Sequence, residues 1–342
     1  MPKLTRTDTA APGRIVVRSP YKWRFLPKRI FHHKPLFGSA VDHAIIRTVG
    51  DACVRILRRD PDRLFSSIEI ETVNRCNSTC SFCPVNTRAD VRPLAHMSDR
   101  IFTKVIDELS SLGYSGKISL HSNNEPLLDE KIVERVRFAK TSCPDAFVFF
   151  YTNGTLLSTE LAWQLIQAGI DFIRVNNYSD KLTLHKNIQA LVKDFEGPPL
   201  AKHAAKIRIV VRKLNEVLSN RGGAAPNKSP DHSHAYRYYQ TAMCRYPFDQ
   251  LVIRPDGKVS LCGNDAYGQI TMGDVDRQSV TEIWFGATYR RLRAELSANG
   301  RRNLPLCNTC DVHTFDPDAF LARSRLLRAV NRVMNLSSYN WK

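Results

Sequence analysis

The 342-residue sequence has no apolar run long enough to cross a bilayer. Its longest apolar stretches are Phe147–Tyr151 and Ile207–Val211, the latter interrupted by Arg208. Both fall far short of the ~20 residues that a spanning helix needs. Residues 1–13 lack the apolar segment of a secretory signal, so a cytoplasmic location is expected. Negative charge is scarce: 33 Asp and Glu stand against 50 Lys and Arg, a formal net charge of +17. The imbalance is uneven, because residues 1–50 hold ten Lys or Arg against only Asp8 and Asp42, net +8. Such an arm suits nucleic acid, acidic lipid or an acidic partner, or is simply a solvated, solubilising segment. Wholesale disorder is excluded by an ordinary 43% hydrophobic content. The length predicts two domains, with a core that needs no disulfide staples.

Alternating strand and helix signals begin near Ser66. Strands are expected at Ser67–Val73, Lys117–His121, Phe147–Thr152, Phe172–Asn176 and Ile207–Arg212. Helices are expected at Asp99–Ser111 behind the N-cap Ser98, at Glu130–Lys140, at Thr159–Ala168 ending on Gly169, and at Lys181–Phe195. Repeated β-α units predict parallel strands with right-handed crossovers. Arg221–Pro230 has the composition of a linker. Beyond it, Leu251–Arg254 and Lys258–Leu261 flank Pro255-Asp256-Gly257 as a hairpin, and a helix is expected at Val280–Ser297. Before Ser66 the chain reads as an irregular basic lead with a short helix around residues 41–59. After Cys310, residues 320–334 read as a basic amphipathic helix that packs on its own domain or lies on a membrane or partner.

Nine cysteines stand at 53, 76, 80, 83, 143, 244, 262, 307 and 310. Without a secretory signal, a clustered odd set points to metal or redox chemistry rather than disulfides. Cys76, Cys80 and Cys83 follow the first strand of the repeating unit, where active-site loops of parallel barrels lie. Three thiolates with gaps of three and two leave one iron of a 4Fe–4S cluster without a protein ligand. An open metal position is the mark of a catalytic site, whereas electron-transfer clusters are held by four cysteines. The alternative is zinc with a remote fourth ligand, although zinc sites usually pair cysteines two by two.

In this C-x3-C-x2-C motif, with Phe82 before its third cysteine, the sequence resembles the radical SAM superfamily, from about Ile68 to Cys310. The resemblance implies a partial (β/α) TIM-type barrel, an α/β fold. It also implies an open iron that binds the amino and carboxylate groups of S-adenosylmethionine (SAM). His121-Ser-Asn-Asn124-Glu125-Pro resembles the family's Gly-Gly-Glu-Pro segment, which holds the SAM amino group. Asn123 and Asn124 replace the two glycines, and asparagine tolerates left-handed backbone, so the turn is expected to survive. Tyr151-Thr-Asn153-Gly154 resembles the ribose-side segment. Phe82, Asn124, Glu125 and Asn153 are thus the expected cofactor-binding residues.

Cys244, Cys262 and the Cys307-Asn-Thr-Cys310 hook provide four further thiolates, enough for a fully ligated 4Fe–4S cluster or one tetrahedral zinc. Beside a radical SAM barrel they resemble a twitch domain, the shortened relative of the SPASM domain. That implies one auxiliary cluster in a small C-terminal β-hairpin-plus-helix domain. The expected organisation is a basic extension (1–64), the barrel (65–220), a linker (221–239), the auxiliary domain (240–312) and a basic C-terminal helix (313–342). Cys53 and Cys143 remain, as small buried hydrophobes or as hydrogen donors to a radical.

Side chains alternate across a strand. Ile68, Ile70, Ile118, Leu120, Val148, Phe150, Ile173, Val175, Ile207, Ile209 and Val211 form an apolar face for the helices. Glu69, Glu71, Ser119, His121, Tyr151, Asn153, Arg174, Asn176, Arg208 and Arg212 form the other. Buried polar groups need partners or a ligand. The pattern therefore predicts a polar lumen, with His121, Arg174, Asn176, Arg208 and Arg212 as candidate substrate contacts. The expected function is radical SAM oxidation, or epimerisation, of a sugar or sugar-derived metabolite, with flavodoxin or ferredoxin as electron donor. Modification of a peptide or protein is the alternative within the family. An iron–sulfur or zinc nucleic-acid-binding protein is the alternative outside it.

Overall fold

The computed structural model describes residues 14–18, 62–228 and 243–312. The two helices expected at 41–59 and 320–334, and Cys53, lie outside these residues. Among the described residues, nine strands build one sheet in the order β1-β6-β5-β4-β3-β2-β7-β8-β9. They are β1 (Val16–Arg18), β2 (Ser67–Ile70), β3 (Lys117–Ser119), β4 (Phe147–Thr152), β5 (Phe172–Tyr178), β6 (Ile207–Arg212), β7 (Gln250–Ile253), β8 (Lys258–Ser260) and β9 (Thr271–Asp274). Every pair from β1 to β7 is parallel, and β8 and β9 are antiparallel additions. Helices α1 (Asp99–Ser111), α2 (Ile132–Ser142), α3 (Thr159–Gln167) and α4 (Lys186–Asp194) lie between the parallel strands, giving the partial barrel. No helix among the described residues is long and apolar enough to cross a membrane.

Local chemistry explains the elements. Helix α1 begins where the Ser98 hydroxyl accepts the Ile101 amide at 3.3 Å, a cap worth about 1 kcal/mol. It buries Ile101, Phe102, Val105, Ile106 and Leu109, an amphipathic stripe against the sheet. The apolar face predicted for the strands is in the core, from Ile68 and Ile70 on β2 to Ile207 and Ile209 on β6, each at most 1% exposed. Cys143 is buried at the end of α2, its Sγ 3.8 Å from the Ile106 carbonyl oxygen.

Three features differ from the sequence reading. The basic lead contributes a strand: Val16–Arg18 pairs with Arg208–Val210 of β6, using the β-branched run Ile15-Val16-Val17 between two arginines. The C-terminal hairpin does not stand apart, because β7 pairs with all four residues of β2 and carries the barrel's sheet into the auxiliary module. The helix expected at Val280–Ser297 is two helices, α5 (Val280–Trp284) and α6 (Ala287–Asn299), broken where Gly286 leaves helical backbone. Trp284 of α5 donates Nε1–H to the Arg63 carbonyl oxygen and stacks edge-on against Phe65, locking the module under the barrel. Helix α7 (Pro305–Thr309) closes the module.

Candidate active site

The loop from Cys76 to Cys83 emerges from the C-terminal end of β2 and is held by local side chains and by others distant in sequence, among them Asn153 and Tyr178. Buried Asn86 donates Nδ2–H to the carbonyl oxygens of Cys80 (3.0 Å) and Cys83 (2.6 Å). Ser78 Oγ lies 3.0 Å from Cys80 Sγ. Asn153 Nδ2 approaches Cys76 Sγ at 3.8 Å while donating to Asn77 Oδ1 at 2.7 Å. Phe82 packs against Tyr178, ring centroids 5.7 Å apart. Burial, its largest cause, pushes the thiols of Cys76 and Cys80 up to about 12, and Cys83 upward as well. Such thiols hold their protons at neutral pH until a metal displaces them.

Glu125 and Asn153 meet at this loop. The fully buried Glu125 carboxylate accepts Thr152 Oγ1 (2.6 Å) and the amides of Asn153 (2.7 Å) and Leu127 (3.1 Å). Burial raises its carboxyl to about 7 against the pull of those donors. Gly154 turns away at φ +80°, where an added Cβ would stand 2.5 Å from Val175 Cγ1, so glycine is required. Neither Asn123 nor Asn124 uses the left-handed backbone expected of it; positive φ among non-glycine described residues falls on Leu182 and Arg221. Their side chains are used instead. Asn124 Oδ1 accepts the Ser122 amide, and its Nδ2 is buried with no acceptor. Asn123 donates to the Gly263 carbonyl oxygen at 3.1 Å and accepts from Arg221.

Gly263 adjoins the second cysteine set. Cys244, Cys262, Cys307 and Cys310 border one small cavity together with Arg301 and Asn264. Cys262 follows β8, and Cys307 and Cys310 sit within and just past α7. Burial and then the neighbouring thiols push Cys262 and Cys307 upward. The two sets are joined through Asn123, Arg221, Arg92 and Glu69. Arg221 also donates to Gly263 O at 3.0 Å. Glu69 accepts Ser122 Oγ (2.8 Å) and Gln250 Nε2 (2.7 Å). The Gly263 backbone lies close against this carboxylate: an added Cβ would come within 2.9 Å of Glu69 Oε2.

Arg92, Asn86 and Arg221 were missed in the sequence. Arg92 pairs with Glu71 and Asp90, each at 3.0 Å, and donates to the carbonyl oxygens of Asn74, Asn123 and Ala266. Burial, its largest cause, raises the Glu71 carboxyl to about 7, with Arg92 opposing. Removing one partner of a buried pair strands the other charge, at a cost of about 3–5 kcal/mol. Arg92→Met is therefore expected to lower the denaturation midpoint of the holoenzyme markedly, and adding Glu71→Gln should restore part of it. A midpoint unchanged in Arg92→Met would show that the buried pair does not stabilise the fold.

The candidate substrate residues divide. His121 stacks on Tyr151 at 4.6 Å, and the Arg174 guanidinium lies over the same ring at 5.2 Å. His121 Nδ1 accepts the Tyr151 amide at 3.2 Å, which leaves the proton of the neutral ring on Nε2. The Oδ1 of Asn176 is buried without a donor among the described residues. Arg212 is engaged by Glu216 and lies near Cys80. Arg208, four residues earlier on β6 and so about 13 Å below it, is exposed, with its guanidinium over Phe172. Its register partner on β5 is Arg174, so these two candidates stand side by side across adjacent strands.

Soft thiolate donors in sets of three and four suit iron–sulfur clusters. Among the described residues no three His, Cys, Asp or Glu side chains converge as ligands of a single ion. A cubane asks its thiolates to stand farther apart. The open amide of Asn124 and the acceptor oxygens of Glu125 fit the carboxylate and amino ends of an amino acid. A parallel partial barrel with an open three-cysteine loop at its C-terminal edge and a closed four-cysteine chamber beside it is the layout of a redox enzyme with two metal–sulfur centres.

Comparison with known proteins agrees. Residues 70–188 match the Radical SAM superfamily, and residues 244–311 match the SPASM iron-sulfur cluster-binding domain. The chain is 30% identical over 251 residues to the S-adenosyl-L-methionine-dependent 2-deoxy-scyllo-inosamine dehydrogenase of Niallia circulans, covering 73% of this chain and 94% of that enzyme. It is 30% identical over 167 residues to a probable GTP 3',8-cyclase of Sulfurisphaera tokodaii, covering 47% of this chain and 50% of that protein. The crystal structure of BtrN in complex with AdoMet and 2-DOIA superposes with a TM-score of 0.62 at 28% identity, over 73% of this chain and 94% of that one. The chain belongs to the radical SAM superfamily and carries an auxiliary iron–sulfur domain. It is a radical SAM oxidoreductase whose cofactors are SAM, a SAM-binding 4Fe–4S cluster and an auxiliary cluster.

Proposed function

We propose that the enzyme oxidises a secondary alcohol on an amino- and hydroxyl-bearing ring, an aminocyclitol or a sugar derivative, to the ketone. It would act in the cytoplasm with an electron from a carrier such as flavodoxin or ferredoxin. The basic N-terminal arm is offered as a contact for acidic lipid or an acidic partner. The observation that carries the reading is the likeness to a 2-deoxy-scyllo-inosamine dehydrogenase across 94% of its length. The polar lumen supports it, since His121, Arg174 and Asn176 offer hydrogen bonds to hydroxyl or amino groups.

When bound, SAM and the two clusters supply hydrogen abstraction from carbon and an acceptor for the second electron. The chain's own part is placement. Cys76, Cys80 and Cys83 are assigned to the SAM-binding cluster, and Cys244, Cys262, Cys307 and Cys310 to the auxiliary one. Asn124, Glu125, Asn153 and Phe82 are assigned to SAM. Glu69, beside Gly263 in the lumen, is assigned to take the proton of the substrate hydroxyl on a carboxylate oxygen. With dithionite and SAM, the anaerobically reconstituted enzyme should convert 2-deoxy-scyllo-inosamine or a related amino sugar to a product lighter by one H2. A product of unchanged mass, or turnover of peptides alone, would overturn the reading.

The Glu125 carboxyl must lose its proton before it can accept the SAM amino group. With that group held near 7 by burial, SAM affinity is expected to rise with pH from 6 to 8, by up to tenfold per unit below 7. Glu125→Gln should bind weakly and flatten the profile. An equally steep profile in that variant would assign the titration elsewhere.

A further inference from the structure

Arg301 follows α6 and is 2% exposed, one of the largest fully buried side chains among the described residues. It borders the chamber of Cys244, Cys262, Cys307 and Cys310. Its Nη1 donates to the Val312 carbonyl oxygen at 2.7 Å and to that of Cys310 at 3.4 Å. Its Nε is buried with no acceptor. No carboxylate pairs with it among the described residues. A buried guanidinium without a counter-charge is costly. The chain thus places a fixed cation where the anion has to arrive with a ligand.

A cubane held by four thiolates is anionic and becomes more so on reduction, so a cation beside it favours the reduced state. We propose that Arg301 is the counter-cation of the auxiliary cluster, its open Nε–H facing cluster sulfur, and that it raises the cluster's reduction potential into the range where it accepts an electron. The proposal rests on the assignment of the four cysteines to an iron–sulfur cluster and is independent of the substrate. Arg301 is a positioning residue: it acts on the reaction through the cluster alone.

The test uses full-length chain carrying Cys76→Ala, Cys80→Ala and Cys83→Ala, so that only the auxiliary cluster is loaded. Iron and sulfide are quantified, and the potential is read by EPR-monitored redox titration. Arg301→Met should shift the reduction equilibrium at least tenfold toward the oxidised cluster, about 59 mV for one electron. Arg301→Lys should stay much closer to the parent. Loading of the lysine variant but not the methionine variant would equally support a need for the charge. A loaded methionine variant with an unchanged potential would overturn the proposal, as would failure of both variants to load, which marks a purely structural arginine. A parent chain without iron and sulfide would instead overturn the cluster assignment itself.

Discussion

Alanine at Cys310 is expected to abolish ketone formation, by about 10³-fold or more, the scale on which loss of an indispensable group falls. It should leave 5′-deoxyadenosine formation well above that of a variant lacking the first cysteine set. The reason is the division of labour between the two sites. Cys310 belongs to the closed chamber with Cys244, Cys262 and Cys307, whereas Glu125, Asn153 and the Cys76–Cys83 loop form a separate constellation with its own hydrogen bonds. On the proposed assignment a four-cysteine site leaves no iron for SAM, so its loss is expected to act on the electron that follows hydrogen abstraction. Measuring both products in the same anaerobic assay decides the matter. Equal loss of the two would mean that the chamber is needed to build the whole enzyme. Retention of ketone would remove the auxiliary cluster from the reaction.

Alanine at Cys80 should have the larger effect, taking both products to background, again by about 10³-fold or more. Cys80 is buried, its Sγ meets Ser78 Oγ at 3.0 Å, and its carbonyl oxygen is fixed by Asn86. The three-thiolate set has no spare ligand, and the neighbouring Asn77 and Asn86 are poor substitutes for a soft donor. Iron content should fall by one cluster while the auxiliary cluster's spectrum persists. SAM cleavage at the wild-type rate in this variant would contradict the assignment.

The chemistry of the site was legible because it is written in local spacing. The gaps between Cys76, Cys80 and Cys83 carry the likeness to the superfamily's motif, and the alternation in β4 and β6 marks both faces of each strand. Strand ends at Thr152 and Arg212 agree with the sequence reading. What was hidden is long-range. Arg92 finds Glu71 and Ala266 across 21 and 174 residues, and nothing in its neighbourhood announces either. Arg221 sits in a stretch whose glycines and alanines read as linker, yet it bridges Asn123 and Gly263. Arg208 and Arg212 share a face of β6, but the partners that separate them, Arg174 beside Arg208 and Glu216 on Arg212, come from the fold. The asparagines in place of the family's glycines looked like a tolerated turn. Their side chains are at work instead: Asn123 ties the barrel to Gly263 of the auxiliary module, and Asn124 holds the Ser122 amide.

The most direct test of the account is the ratio of 5′-deoxyadenosine to carbonyl product in anaerobic turnover of the reconstituted enzyme, with substrate deuterated at the carbinol carbon. One 5′-deoxyadenosine is expected per carbonyl formed, with deuterium from that carbon in the nucleoside. Carbonyl formed without 5′-deoxyadenosine, or a nucleoside free of deuterium, would contradict it.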